Sequence, residues 1–230
     1  MRKVFYFCPG ISLNTYLKNT KMKKLVLFSA AAAMVLASCV SNPDGKKADT
    51  TDSIETVDQV IGEAYTVDPA QSQLVWTGNK VSGQHHGTVD IKSGALHVEN
   101  GTITGGNFVL DMNTINTQDL EGEWKEKLDG HLKAEDFFDV ANNPEASFEV
   151  TSVVAGATEG TVAVSGNLEI RGVSKNITFD AVVEEVTEQS VKASADFNIA
   201  REDWGVNYAG QEDDLISKEI NFKVTLVANK

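Results

Sequence analysis

Four histidines, His85, His86, His97 and His131, have the widest chemical repertoire of this chain at neutral pH, as bases, proton shuttles or metal ligands. Their spacing offers little of that chemistry. His85 and His86 are adjacent, and neighbours on a strand point to opposite faces, so regular β structure cannot bring both to one ion. No His-x-x-x-His or Glu-paired helical motif accompanies them, and no metal site is predicted. His131 follows Gly130 at a helix boundary, a place suited to capping or to a hydrogen-bond network. Asp136 and Asp139 flank Phe137-Phe138 and read as caps of short helical turns rather than as an acid–base pair. With no Gly-x-Ser-x-Gly elbow and no phosphate-cradling loop, the chain offers no catalytic residue and calls for no cofactor. Lys80, Arg171, Lys175 and Arg201 are able to hold a phosphate or pyrophosphate, Arg as a planar fork and Lys as a point charge. Arg171-Gly172 reads equally as a turn carrying an exposed charge.

The elements that would position these groups are strands. Leu74 and Trp76; Phe108, Leu110 and Met112; Phe148 and Val150; Val162, Val164, Leu168 and Ile170; Ile177, Phe179, Ala181 and Val183; Val191, Ala193, Ala195, Phe197 and Ile199; and Ile220, Phe222, Val224 and Leu226 each keep one parity. Alternation of this kind marks half-buried strands. Asn100-Gly101, Gly105-Gly106, Glu159-Gly160 and Arg171-Gly172 supply turn chemistry between them. A single sheet would leave its apolar face in water, and closure removes both that face and the edges. The fold class is all-β, an antiparallel barrel of about eight strands, a size at which the interior is filled or holds one small ligand.

One aromatic-rich stretch, Asp129 to Asp139, interrupts the alternation. Trp124, Leu128 and Leu132 recur at four-residue intervals, which predicts one apolar helical face. With Phe137 and Phe138 this insert is expected to cap one barrel end. Trp76, Phe108, Phe148, Phe179, Phe197 and Phe222 are core candidates individually. Small Ala181, Ala193 and Ala195 among them make a cavity credible, and an apolar cavity accepts an apolar ligand.

Lys23 and Lys24 precede the apolar run Leu25 to Leu36, and Leu36-Ala37-Ser38-Cys39 follows, the order of a charged region, a short apolar region and a small-residue cleavage site. The run is short for a membrane span. The triplet before Cys39 resembles a lipobox, so residues 1–38 read as a leader (1–21 fitting a mis-assigned start) and Cys39 as the acylated first residue; an ordinary secretory signal remains the alternative. Val40 and Ser41 lack the Asp that marks inner-membrane retention in some bacteria, which favours an outer-membrane anchor in the cell envelope. The other cysteine is Cys8, so no disulfide is expected after Cys39. Residues 39–63 are Ser, Thr, Asp and Gly rich and read as a flexible tether ahead of one domain, 64–230. Six of the 20 Lys and Arg and none of the 33 Asp and Glu precede Cys39, leaving 14 against 33 and a formal charge of −19. That balance excludes nucleic acid and disfavours anionic lipid as a docking surface.

Several motifs recur together: Trp76-Thr77-Gly78-Asn79-Lys80, Gly83-Gln84-His85-His86-Gly87, Gly130-His131-Leu132-Lys133, Asp136-Phe137-Phe138-Asp139 with Pro144 and Phe148, Gly166 to Val173, and Arg201-Glu202-Asp203-Trp204-Gly205. Their order and spacing from Tyr65 to Lys230 resemble the YceI-like family of lipid- and polyisoprenoid-binding proteins, with Trp204 where the family often has another aromatic. The resemblance implies an extracytoplasmic lipocalin-like barrel, without assigned catalytic residues, whose cavity holds an isoprenoid or similar apolar lipid. The pocket expected on that basis comprises Trp76, Phe108, Leu110, Met112, Trp124, Leu128, Leu132, Phe137, Phe138, Phe148, Phe179, Phe197, Trp204 and Phe222. Lys80, His85, His131, Arg171 and Arg201 are the head-group candidates. Membrane attachment is expected through acylated Cys39, and homodimerisation is left open. The competing expectation is a structural or stress-related envelope protein with a filled barrel acting through protein contacts.

Overall fold

A computed structural model describes residues 40–55 and 61–230; residues 1–38, where a leader is expected, and Cys39 lie outside the described residues. The alternating segments pair as expected. Strands β4 (Gln73–Lys80), β5 (Gly83–Glu99), β6 (Thr102–Thr117), β7 (Glu145–Ala155), β8 (Thr161–Ile170), β9 (Val173–Val186), β10 (Ser190–Ala200) and β12 (Asp214–Asn229) follow one another antiparallel. Strand β12 returns to β4, Phe222 opposite Trp76, and closes an eight-stranded barrel. Strand β3 (Glu63–Val67) continues the line of β4 beyond a turn in which Gln71 and Ser72 donate to the Asp68 carbonyl, and it pairs with the same two neighbours. The two-residue β11 (Gly210–Gln211) folds back on β12.

Asn100 (φ 51°) with Gly101 (φ 77°), and Arg171 (φ 53°) with Gly172 (φ 70°), both adopt the left-handed pair that twists a hairpin correctly. Gly105-Gly106 instead lies inside β6, correcting its reading as a break. A Cβ on Gly106 would come within 2.7 Å of the Ala95 carbonyl, so the glycine permits close strand approach. Long β5 changes parity from Val89 and Ile91 to Leu96 and Val98, because register shifts interrupt it.

The tether reading is corrected over its first half. Strand β1 (Lys46–Lys47) pairs parallel with β10, and β2 (Asp49–Asp52) pairs antiparallel with β9. The segment is thus inserted between β9 and β10 where those two splay. Its buried apolar side chains are two small ones, Pro43 and Ala48, which explains why composition reads as disordered. Its hold is polar and tertiary. Asn198 Nδ2 donates to the Pro43 carbonyl (2.9 Å), Ser217 Oγ to Asn42 Oδ1 (2.9 Å) and Asn79 Nδ2 to the Ser41 carbonyl (3.1 Å).

Helix α1 spans Gly122–Lys133 between β6 and β7. Asp129 accepts from the Thr117 backbone N–H (2.8 Å) and hydroxyl (2.6 Å) and pairs with Lys125 (2.8 Å), fastening the helix across the end of β6. Burial tends to raise the Asp129 carboxyl, and these donors outweigh it, holding it below its usual value. The core falls into two clusters, one under α1 around Trp76, Ile177 and Trp204, the other at the far end around Tyr65, Leu96 and Val191.

Candidate functional site: a lipid-sized barrel cavity

Inward-facing Phe108, Phe148, Phe179, Phe222, Val162 and Val164 are only half-buried although they point into the barrel, because the space between them is open. The cavity measures about 380 Å³ and runs from Ile103, Val153 and Leu226 in the far cluster to Leu128 and Leu132 beneath α1. That lies in the range of about 300–1,000 Å³ usual for small-molecule sites. An open interior disfavours the filled-barrel alternative.

A belt of rings follows the wall. Consecutive centroids from Phe108 to Phe148, Phe179, Phe197 and Phe222 are 6.4, 5.7, 4.1 and 6.0 Å apart, and Trp76 stands opposite Phe222. The belt draws on β6, β7, β9, β10, β12 and β4; on the two remaining strands glycine occupies the place. A Cβ on Gly87 of β5 would lie 2.6 Å from Trp76 Cζ2, and one on Gly166 of β8 would lie 2.3 Å from Phe148 Cζ. The rings lie flat on the wall over these glycines, which leaves the lumen free.

Twelve of the fourteen pocket candidates border the cavity: Trp76, Phe108, Leu110, Met112, Leu128, Leu132, Phe137, Phe138, Phe148, Phe179, Phe197 and Phe222. Trp124 does not; it is 70% exposed. A four-residue step turns a helix about 40° past a full turn, so two steps place Trp124 roughly 80° round from Leu132, and it also lies toward the outer end of α1. Trp204 is buried behind the wall, its Nε1 donating to the Leu168 carbonyl (3.0 Å), and knits the Arg201–Trp204 turn to β8.

Polar groups gather at the mouth. Lys80 pairs with Asp214 (2.9 Å), which also accepts from the Ser82 N–H (2.9 Å); these bonds hold the Asp214 carboxyl down to about 2. His85 Nδ1 meets Asp119 (2.7 Å), a carboxylate that burial raises but that hydrogen bonds from the His86 N–H and His85 return below its usual value. His131 Nε2 meets Asp136 (3.2 Å), and its ring stands edge-on to Tyr208 at 4.6 Å. Lys80, His85, His131 and Arg201 therefore border the cavity. Arg201 is buried there, donating through Nε to Ser217 (2.8 Å) and through Nη1 to Val206 (2.6 Å), and burial lowers its pKa. Arg171 does not border the cavity; it donates to the Gly205 (2.7 Å) and Glu135 (3.1 Å) carbonyls and braces loops. Tyr208, Gln211 and Asp214 complete the mouth. They sit in and just before the short β11–β12 hairpin, too brief to show a period, which is why the sequence did not reveal them.

The solved structure of BcnA from Burkholderia cenocepacia superposes with a TM-score of 0.54 at 18% identity, covering 71% of this chain and 99% of that one. A polyisoprenoid binding domain from Saccharophagus degradans gives 0.55 at 19% identity, over 72% of this chain and 97% of that one. At such identity the likeness establishes the fold. Among curated relatives, the UPF0312 protein of Pseudomonas aeruginosa (strain LESB58) is 40% identical over 68 residues. Protein YceI of Salmonella arizonae is 38% identical over 68 residues. The matched stretch is 30% of this chain and 34% of each relative's length. A far longer stretch carries the family pattern: residues 65–228, from β3 to the end of β12, match the YceI-like domain, and the chain belongs to that family.

Proposed function

We propose that this protein encloses an isoprenoid or similar long apolar lipid in its barrel and releases it without chemical change. The observation that carries the reading is the open, aromatic-belted cavity whose charged groups Lys80, His85, His131 and Asp214 gather at its mouth. A long chain suits the lumen and a single polar end suits the mouth. The Saccharophagus degradans domain of the same fold is a polyisoprenoid binding domain, which supports the same ligand class.

Magnitudes allow reversible binding. At about 0.8 kcal/mol per buried CH₂, four isoprene units bring roughly 16 kcal/mol of gross transfer energy. Association costs about 4–15 kcal/mol, so the remainder spans weak to tight binding without any covalent step. The histidine–carboxylate contacts at the mouth are rim interactions in this account and need no catalytic role. The leader and Cys39 support action in the cell envelope, with the barrel attached to a membrane by the acylated cysteine. The test is titration of the full chain with fluorescently labelled geranylgeraniol, competed by unlabelled prenyl alcohol and by a prenyl quinone. Saturable, competable uptake near one per chain is expected; failure to take up the probe would overturn the proposal.

A further inference from the structure

Three exposed apolar side chains stand next in chain or one helical turn away from residues that line the cavity, without lining it themselves. Trp124 is 70% exposed and stands one helical turn before Leu128, which lines the cavity. Val81 (41% exposed) and Leu215 (36%) are joined by a hydrogen bond from the Val81 N–H to the Leu215 carbonyl at 3.0 Å, and each adjoins a mouth residue, Lys80 and Asp214. An indole in water at that exposure forfeits apolar burial, whereas the boundary of a bilayer suits its apolar ring and polar N–H.

The start of the described chain lies at the same place. The Ser41 carbonyl is bound by Asn79, itself a mouth residue, and the following segment is fixed to the barrel through β1 and β2. Cys39 is two residues before Ser41, so its covalent reach from the rim is at most about 7 Å. An acyl anchor on that thiol would therefore hold the rim itself at the membrane, not a barrel on a long leash.

We propose that this rim is a membrane-docking surface that sets the cavity mouth against a zwitterionic bilayer, so that the lipid passes between bilayer and barrel without crossing water. The lipid class is set by charge: exposed Glu212 and Asp213 lie at the tip of the hairpin carrying Leu215, and an anionic surface would repel them. The transfer role rests on the lipid-binding reading; the docking itself does not.

The full chain, produced in a bacterial envelope and reconstituted in vesicles of dibrominated phosphatidylcholine, provides the test. Of its 3 tryptophans, Trp76 and Trp204 are buried, so bromine at the interface quenches chiefly Trp124. The emission lost relative to unbrominated vesicles is expected to be about a third of the total, to vanish in Trp124→Phe, and to fall in Val81→Asp/Leu215→Asp or when phosphatidylglycerol is added. Quenching equal in the protein and in Trp124→Phe, or protein that does not float with the vesicles, would overturn the docking. A rise with phosphatidylglycerol would overturn the zwitterionic assignment. Labelled geranylgeraniol uptake is read on the same samples. Quenching without uptake refutes the carrier reading and retains the docking; uptake without quenching does the reverse.

Discussion

Gly166→Ala is the sharpest test of how the cavity is kept open. The added methyl would sit 2.3 Å from Phe148 Cζ, 2.6 Å from Cε2 and 2.7 Å from the Glu149 carbonyl oxygen. Ordinary contact begins near 3.4 Å, so the ring must retreat by about 1.1 Å, and the carbonyl is held by the sheet. Phe148 cannot retreat along the wall, since Phe108 and Phe179 flank it, and it turns into the lumen. Overpacking of this kind costs about 1–3 kcal/mol. For a domain of this size each kcal/mol lowers the melting temperature by about 2–4 °C, so a fall of roughly 2–12 °C is expected by calorimetry. Labelled geranylgeraniol should bind at least about tenfold more weakly, equivalent to about 1.4 kcal/mol. In the Gly166→Ala/Phe148→Ala double variant the clash has no partner ring, and binding is expected to recover part of the loss. Unchanged melting and unchanged affinity in Gly166→Ala would refute the claim that glycine is there to seat the ring.

Other consequences follow from the same geometry. Leu132→Asp or Phe137→Asp puts an unpaired carboxylate among buried apolar groups under α1 and is expected to speed loss of bound prenyl lipid by roughly tenfold or more with β content preserved, read by release kinetics and circular dichroism. Gly45 has φ 135°, and a Cβ there would meet Asn198 Oδ1 and Asn221 Nδ2 at 2.3 and 2.5 Å; Gly45→Val is expected to detach β1 and β2, exposing residues 43–55 to protease while the barrel stays resistant. The carboxyl of Asp214 is depressed from 3.8 to about 2, so the Lys80–Asp214 bond's contribution is complete above pH 4 and is lost as pH falls toward 2. The protection factor of the Ser82 N–H, its exchange rate taken relative to the intrinsic rate at each pH, should fall over that window and stay constant between pH 5 and 7; a constant value down to pH 2 would refute the pairing.

The barrel was legible because its signal is local. Residues such as Phe148 and Val150, or Val191 to Ile199, alternate within one strand, and burying one face forces closure whatever the details. Parity failed where bulges interrupt it, as between Ile91 and Leu96 on β5, so those wall residues were not recognised as members of the pattern. The pocket list was largely recovered for the same local reason. Trp124 was misplaced because a four-residue repeat drifts round a helix, and Trp204 because burial beside a cavity resembles burial within it. The short strands β1 and β2 had no local signature. Their docking depends on Asn79, Asn198 and Ser217, all distant in sequence, and one buried methyl, that of Ala48, contributes to the core. Arg171 could not be told from Arg201 in sequence, since each precedes a turn. Both spend their donors on backbone carbonyls, and their roles separate only because Arg201 borders the cavity and Arg171 does not.

The lumen is proposed to carry a lipid. Native mass spectrometry of the full chain, purified gently and followed by solvent extraction of whatever is released, is the test. An adduct near one per chain is expected, extracted as an isoprenoid or similarly long apolar lipid and reduced in Gly166→Ala. A protein that is empty as isolated and takes up no added prenyl lipid would contradict it.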